Sequence, residues 1–248
     1  MVQRIRIRYA KRGPMRFTSH RDFARAFERA VQRAKIPIGY SSGFSPHPKI
    51  SYASAAPTTV ASEAEYLEIG LRERREPAEV ARALDAALSP GLDVIEAVEA
   101  RGGSLADRID ASRWRIELPG VDTETLRQAV AAFLDAAEVT VERLTKHGLR
   151  DMDARAAVVA MTVIDSETDV PSEVDVVPCA ILDLVVRQVT PSVRPDDVLS
   201  GLRVVAGLEP AVPPRATRLA QGFLTAHADL VDPLAADRET AVSGASSP

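Results

Sequence analysis

Residues 3–9, QRIRIRY, alternate without a break, with Ile5, Ile7 and Tyr9 on one face and Arg4, Arg6 and Arg8 on the other. A period of two marks a half-buried strand, with the arginines on its outer face. Gly13-Pro14 then turns the chain. Ser19 is placed to cap a helix running to about Ala34, with Asp22 at its third helical position. Phe23, Phe27, Ala30, Val31 and Ala34 share one face of that helix at three- and four-residue steps, which is a core face. Pro37 ends the helix, residues 38–40 read as extended, 41–48 as a loop and 49–54 as a strand. Residues 62–71, SEAEYLEIGL, alternate again, with Glu63, Glu65 and Glu68 outward as cross-strand partners for the N-terminal arginines. Pro77 opens a helix to about Leu88, and residues 92–98 form a last strand. The order β-α-β-β-α-β is the split pattern of a ferredoxin-like domain.

Arg101-Gly102-Gly103-Ser104 reads as a linker, and the pattern restarts after it. SRWRIEL at 112–118 alternates, and Asp122-Thr123 caps a helix to Ala137 with Leu126, Val130, Phe133 and Leu134 inward. Strands follow at 138–144, 156–164 and 176–189, the last a long apolar run expected to be central, and Pro195-Asp196-Asp197 opens a helix to about Val205. From Glu209 the chain is proline-rich and lacks a clear period, with disorder expected from Ala235. The expected architecture is α+β: two ferredoxin-like units side by side. Residues 1–100 form a basic first domain, 101–110 a linker, 111–208 a second domain, and 209–248 a proline-rich segment and disordered tail.

The 248-residue length and 46% hydrophobic composition suit two small soluble domains. Only 4% of residues are aromatic, which argues against a broad base-stacking platform. The single cysteine, Cys179, excludes an internal disulfide and an all-cysteine metal or iron–sulfur site, and its VVPCAILDLVV setting predicts a buried apolar role. No signal-peptide core and no 18-residue apolar run occurs, so a cytoplasmic protein without a membrane anchor is expected.

Charge changes the picture more. The net charge of −4 hides a basic end: residues 1–50 hold twelve Lys/Arg and two acids, Asp22 and Glu28, while the other 198 hold nineteen and thirty-three. Arg21, Arg25, Arg29 and Arg33 recur every four residues on the outer side of the first helix. A solvated helix face usually mixes signs; four arginines in register point to phosphate contacts. Ser42, Gly43 and Ser45 beside His47 and Lys49 offer backbone N–H groups and cations for a phosphate, without the G-x-x-x-x-G-K-[ST] of a nucleotide P-loop. The expected nucleic-acid contacts are therefore Arg4, Arg6, Arg8, Lys11, Arg12, Arg16, Arg21, Arg25, Arg29, Ser42, Gly43, Ser45, His47 and Lys49.

Two histidines in that region, His20 and His47, are candidates for metal-free RNA cleavage as general base and acid; the structural alternative places His20 at the helix start and His47 in loop hydrogen bonding. His147 with Asp151 and Asp153 suggests a cation site less well than a polar hairpin connection, and the histidines lack metal-ligand spacing. No cofactor fingerprint occurs, and no cofactor is expected.

RFTSHRDFARAFERA at 16–30, IPIGYSSGFSPHPKIS at 36–51 and SEAEYLEI at 62–69, with a looser match in GLRDMDAR at 148–155, resemble the radical-SAM-linked proteins of unknown function. Members of that family occur as a domain behind a radical SAM enzyme domain or as a free-standing protein. The resemblance implies a working association with radical SAM chemistry, RNA modification among its uses. The chain lacks the three-cysteine cluster motif, so such chemistry would belong to a separate partner. The expected function is an RNA-binding module accessory to RNA modification or processing. The alternatives are an RNA-cleaving enzyme using His20 and His47, or an adaptor docking onto a radical SAM partner without nucleic acid. Whether the chain is itself an enzyme stays open at this point, as does the class of RNA.

Overall fold

The structure is a computed structural model and describes residues 1–145, 148–164 and 178–238. The chain divides into two compact units. One comprises Met1–Ile109, Ala220–Phe223 and the chain from Val231 on; the other comprises Asp110–Leu219 and Leu224–Leu230.

In the first unit the elements run β1 (Gln3–Lys11), α1 (His20–Arg33), β2 (Ile50–Ala53), β3 (Ala61–Leu71), α2 (Pro77–Ala87) and β4 (Leu92–Glu99). The strand order is β4-β1-β3-β2 with every neighbour antiparallel, which is the ferredoxin-like arrangement. β2 covers only Tyr66–Ile69 of the outer edge of β3, and Ala220–Phe223 takes another part, where Gln221 Nε2 donates to the Ala64 carbonyl at 2.5 Å. Ser19 caps α1 as expected, accepting from the Asp22 N–H at 3.2 Å and donating its hydroxyl to the Asp22 carboxylate at 2.7 Å. One core lies under α1 and α2: Ile5, Ile7 and Tyr9 meet Phe23, Phe27 and Val31, with Leu67, Ile69 and Leu84 closing it. Tyr9 and Phe23 stack with ring centroids 4.4 Å apart.

The opposite sheet face departs from the sequence reading. The alternation of β1 implies a solvated arginine face, yet Arg6 is fully buried. A second apolar cluster of Ala53, Ala64, Tyr66, Leu105, Ile109 and Leu234 covers this side. The covering chain is residues 101–109 and the C-terminal segment, where Ala235–Arg238 form a helical turn in place of the expected disorder; residues 239–248 lie outside the described residues. Arg6 donates through Nε to Glu68 at 2.9 Å, through one terminal nitrogen to both Asp237 oxygens at 2.8 and 3.2 Å, and through the other to the carbonyls of Gly102 and Gly103. All five guanidinium N–H groups thereby have acceptors. The expected pairing between β3 acids and β1 arginines is present: Glu68 faces Arg6 across the strands and takes Arg4 as well.

The second unit contains β5 (Ala111–Pro119), α3 (Thr123–Asp135), β6 (Thr140–Thr145), β7 (Gly148–Asp153), β8 (Val158–Ile164), β9 (Cys179–Arg187), α4 (Pro195–Ala206) and the first half of β10 (Arg215–Leu224). Its sheet order is β10-β5-β9-β8, the same ferredoxin-like order, with a β6-β7 hairpin inserted after α3. The closing strand β10 is absent from the sequence reading of this unit. The last strand, β11 (Leu230–Val231), pairs with β10. Asp122 caps α3, accepting from the Thr125 N–H at 2.8 Å, and these hydrogen bonds hold its carboxyl below the ordinary range. Leu134, expected inward, is 36% exposed, because the α3 face that packs is set by Leu126, Ala129, Val130 and Phe133. Cys179 is half-exposed at the start of β9 rather than buried. No described helix is long and apolar enough to cross a membrane.

Asp237→Ala removes an acceptor from a buried arginine and is expected to destabilise the first unit by about 3–5 kcal/mol, the cost of stranding one partner of a buried pair. Denaturant titration with a probe in that unit measures it; a loss below about 1 kcal/mol would show that Glu68 and the two carbonyls suffice.

Candidate nucleic-acid interface

Once folded, the basic end loses much of its surplus charge to acids from distant parts of the chain. Arg4 pairs with Glu68 at 3.2 Å and stays partly exposed. Arg6 is withdrawn from the candidate contact set, since a guanidinium enclosed by two carboxylates and two carbonyls has no face for a phosphate. Arg8 donates to the Glu63 carbonyl at 2.9 Å and lies 3.8 Å from Asp232. Lys11 is buried with its ammonium 3.1 Å from the Pro57 carbonyl, so it too drops out. Arg12 is exposed but held between Glu63 and Asp93, and the hydrogen bonds it donates to Glu63 raise its pKa further. Arg16 sits over the ring of Phe17, 4.7 Å from the centroid.

What remains lies on α1 and the segment after it. Arg21, Arg25, Arg29 and Arg33 are exposed, and among the described residues none of them makes an ion pair. The helix positions them because its other face is committed to Phe23, Phe27, Ala30 and Val31. Arg33 extends the expected set by one turn of the same repeat. Lys35 follows, also exposed. From Arg29 to Ser62 the chain carries no acidic residue, so local partners are lacking.

The 41–49 loop is pinned at its base. Tyr40 bridges to Pro48, the Ser41 N–H donates to the His47 carbonyl at 2.8 Å, and the His47 N–H donates to the Ser41 hydroxyl at 3.0 Å. Below it Gly39, Lys49 and Gly70 close a ring of backbone hydrogen bonds: Gly39 to Gly70 at 2.7 Å, Gly70 to Lys49 at 2.9 Å, and Lys49 to Gly39 at 2.8 Å. A Cβ at Gly39 would stand 3.3 Å from the Gly70 carbonyl, a tight contact, so glycine eases the close approach there. This fixes Lys49 beside a depression of about 420 Å³ lined by Arg4, Ser41, His47, Lys49, Ser51 and Glu68. Ser42, Gly43 and Ser45 are exposed in the loop above. Arg4, His47 and Lys49 are thus gathered at one place, with Ser41 and Ser51 as additions the composition of the loop alone did not single out.

The histidine pair does not assemble. His20 stands edge-on to Tyr52, with ring centroids 4.9 Å apart, while His47 lines the depression; no hydrogen bond or ring contact joins them. Tyr52 is largely buried, which with nearby Glu28 raises its pKa, and its hydroxyl has no hydrogen-bond partner among the described residues. Among the described residues no group of three or more His, Cys, Asp or Glu is placed to hold a metal ion. Asp151 and Asp153 lie on the β6-β7 hairpin, and His147 lies outside the described residues.

A family model described as an uncharacterised protein conserved in bacteria, DUF2344, matches residues 4–195. The chain belongs to that family. The match takes in the β1–β4 part of the first unit and the second unit as far as the start of α4, leaving β10 outside it. A search of curated proteins finds no match. Among solved structures, the first two RRM domains of the yeast poly(U)-binding protein Pub1 are similar at 11% identity and a TM-score of 0.19, over 86% of this chain and 98% of that one. At so low a score the fold assignment rests on the strand orders described above.

Tyr52→Phe removes a buried hydroxyl that has no partner among the described residues, and is expected to leave stability unchanged or raise it by up to about 1 kcal/mol. Denaturant titration reads this directly; a loss larger than about 1 kcal/mol would reveal a hydrogen bond to that hydroxyl.

Proposed function

We propose that this protein is an RNA-binding module that presents the arginine face of α1 and the basic loop at 41–49 to phosphates. It serves as an accessory to RNA modification or processing carried out with a radical SAM enzyme. The observation that carries the reading is the stripe of four exposed arginines that make no ion pair among the described residues, on a chain whose other N-terminal arginines are nearly all matched by acids. An unmatched row of guanidinium groups favours a polyanion, because bidentate contacts to phosphate restore both hydrogen bonds and charge balance. The overall acidity of the chain does not oppose this, since binding responds to the local field. The radical SAM partner comes from the sequence resemblance alone. The three-cysteine motif such an enzyme needs is missing here, so the redox chemistry is assigned to the partner and binding to this chain. RNA cleavage by His20 and His47 gains no support, because the two rings occupy different surroundings.

Protein purified at modest salt is expected to carry RNA, visible in its ultraviolet absorbance ratio and identifiable by sequencing. The Arg21→Glu, Arg25→Glu, Arg29→Glu variant, altered only at exposed positions, is expected to fold normally and lose that RNA. With single-stranded RNA the slope of log affinity against log salt is expected to fall by about 2 in the variant, at about 0.7 per phosphate contact. Absence of RNA from the wild type, with a radical SAM protein co-purifying in its place, would turn the reading to protein docking.

A further inference from the structure

Phe44 is the most exposed large apolar residue in the described chain, at 106% of the accessibility of its reference state. It stands within the pinned loop, and its ring is fully exposed among the described residues. Single exposed apolar side chains are common on protein surfaces; what sets Phe44 apart is the closed loop that carries it. The loop is built to hold it there. Hydrogen bonds between Ser41 and His47 close the base, Pro46 and Pro48 limit the returning strand, and Gly43 adopts φ +136°. That conformation is open to glycine and resisted by other residues, while a Cβ there would meet nothing within 4 Å, so the requirement is conformational. Tyr40, 47% exposed, begins the same loop.

The loop that carries the ring also contributes to a basic recess. His47 and Lys49 follow Phe44 by three and five residues and line the depression with Arg4, and its one acid, Glu68, is already shared by Arg4 and Arg6. A bare ring on the same loop that supplies His47 and Lys49 to a basic recess matches a nucleotide unit: a flat π-face for the base and polar, basic side chains for the adjoining phosphate. A duplex hides its base faces within the stack, so only unpaired nucleotides fit this pairing of groups.

We infer that the 41–49 loop is a recognition element for single-stranded RNA, with an unstacked base lying on Phe44 and its neighbouring phosphate seated against Lys49, His47 and Arg4. The inference rests on the RNA-binding reading above and narrows it to unpaired segments. Anchoring both ends of the loop before binding lowers the ordering cost of the contact.

The test uses the full chain and a fluorescently labelled mixed-sequence 12-nucleotide RNA, alone and annealed to its complement. The wild type is expected to bind the single strand more tightly. Phe44→Ala is expected to weaken single-strand binding by about five- to a hundredfold, the range for losing one stacked base, and to leave duplex binding nearly unchanged. Phe44→Trp restores it, and Lys49→Glu weakens both forms and lowers the salt slope by about 1. Equal affinity of wild type and Phe44→Ala for the single strand overturns the inference and assigns the tip to a protein surface, and so does a wild type that prefers the duplex. If in that case the triple arginine variant still loses RNA, the binding module stands and only the loop assignment falls. A wild type that binds neither RNA overturns both.

Discussion

The first unit is organised around a buried positive charge. Enclosing a guanidinium costs several kcal/mol in lost hydration, and that cost is met only when nearly every N–H finds an acceptor and the charge is matched. Arg6 satisfies both conditions: two carboxylates, Glu68 and Asp237, and two carbonyls, those of Gly102 and Gly103, take its five hydrogens. Lysine, with three hydrogens on a single nitrogen, has no equivalent fork. Asp237 binds Arg108 and the Arg101 N–H in addition, and Arg238 beside it engages Glu96 and Asp232. The cluster therefore fastens the segment after β4 and the C-terminal turn to one sheet face, where Leu105, Ile109 and Leu234 then exclude water.

This burial decides which charges remain for function. A count along the sequence gives the N-terminal fifty residues a large positive balance, but the acids that cancel it come from β3, β4 and the C-terminal segment. Arg6 and Asp237 are separated by 231 residues. The charge left over lies on α1 and the loop before β2, away from the acids. The same logic operates in the second unit, where Arg143 is matched by Asp197 and Arg113 by Asp183. Neither pair could be read from neighbouring sequence.

Most of the first unit was legible because its elements announce themselves locally. The alternation of β1, the Ser19 cap, the apolar face of α1 and Pro77 at the first turn of α2 are all local signals. Alternation does not say what lies over the polar face, however, and an arginine every second residue reads the same whether water or another segment covers it. β10 was not legible for a different reason. Its buried positions are Arg218, Gln221 and Gly222, two polar residues and a glycine, so no hydrophobic period exists to be found. Arg218 is stabilised over the Trp114 ring, 5.5 Å from its centroid, and Gln221 by the Ala64 carbonyl. The arginine stripe on α1 was visible in sequence; the exposure of Phe44 was not, because a lone aromatic in a serine- and proline-rich loop is as easily a core anchor.

Strand order alone is a poor guide to where a ferredoxin-like unit binds. The open sheet face is the first surface to consider for a ligand. In the first unit that face holds Arg6 and Tyr66 beneath the chain's own C-terminal segment, so a nucleic acid reaching for it would have to break a buried ion pair before making a contact. Several kcal/mol would be lost before anything was gained. The helix face and the pinned loop need no such opening: among the described residues the arginines have no ion pair, the aromatic ring is exposed, and the loop is closed at its base. The partition of one basic sequence into a buried half that holds the fold and an exposed half that stays unmatched is what makes the second half available to a ligand.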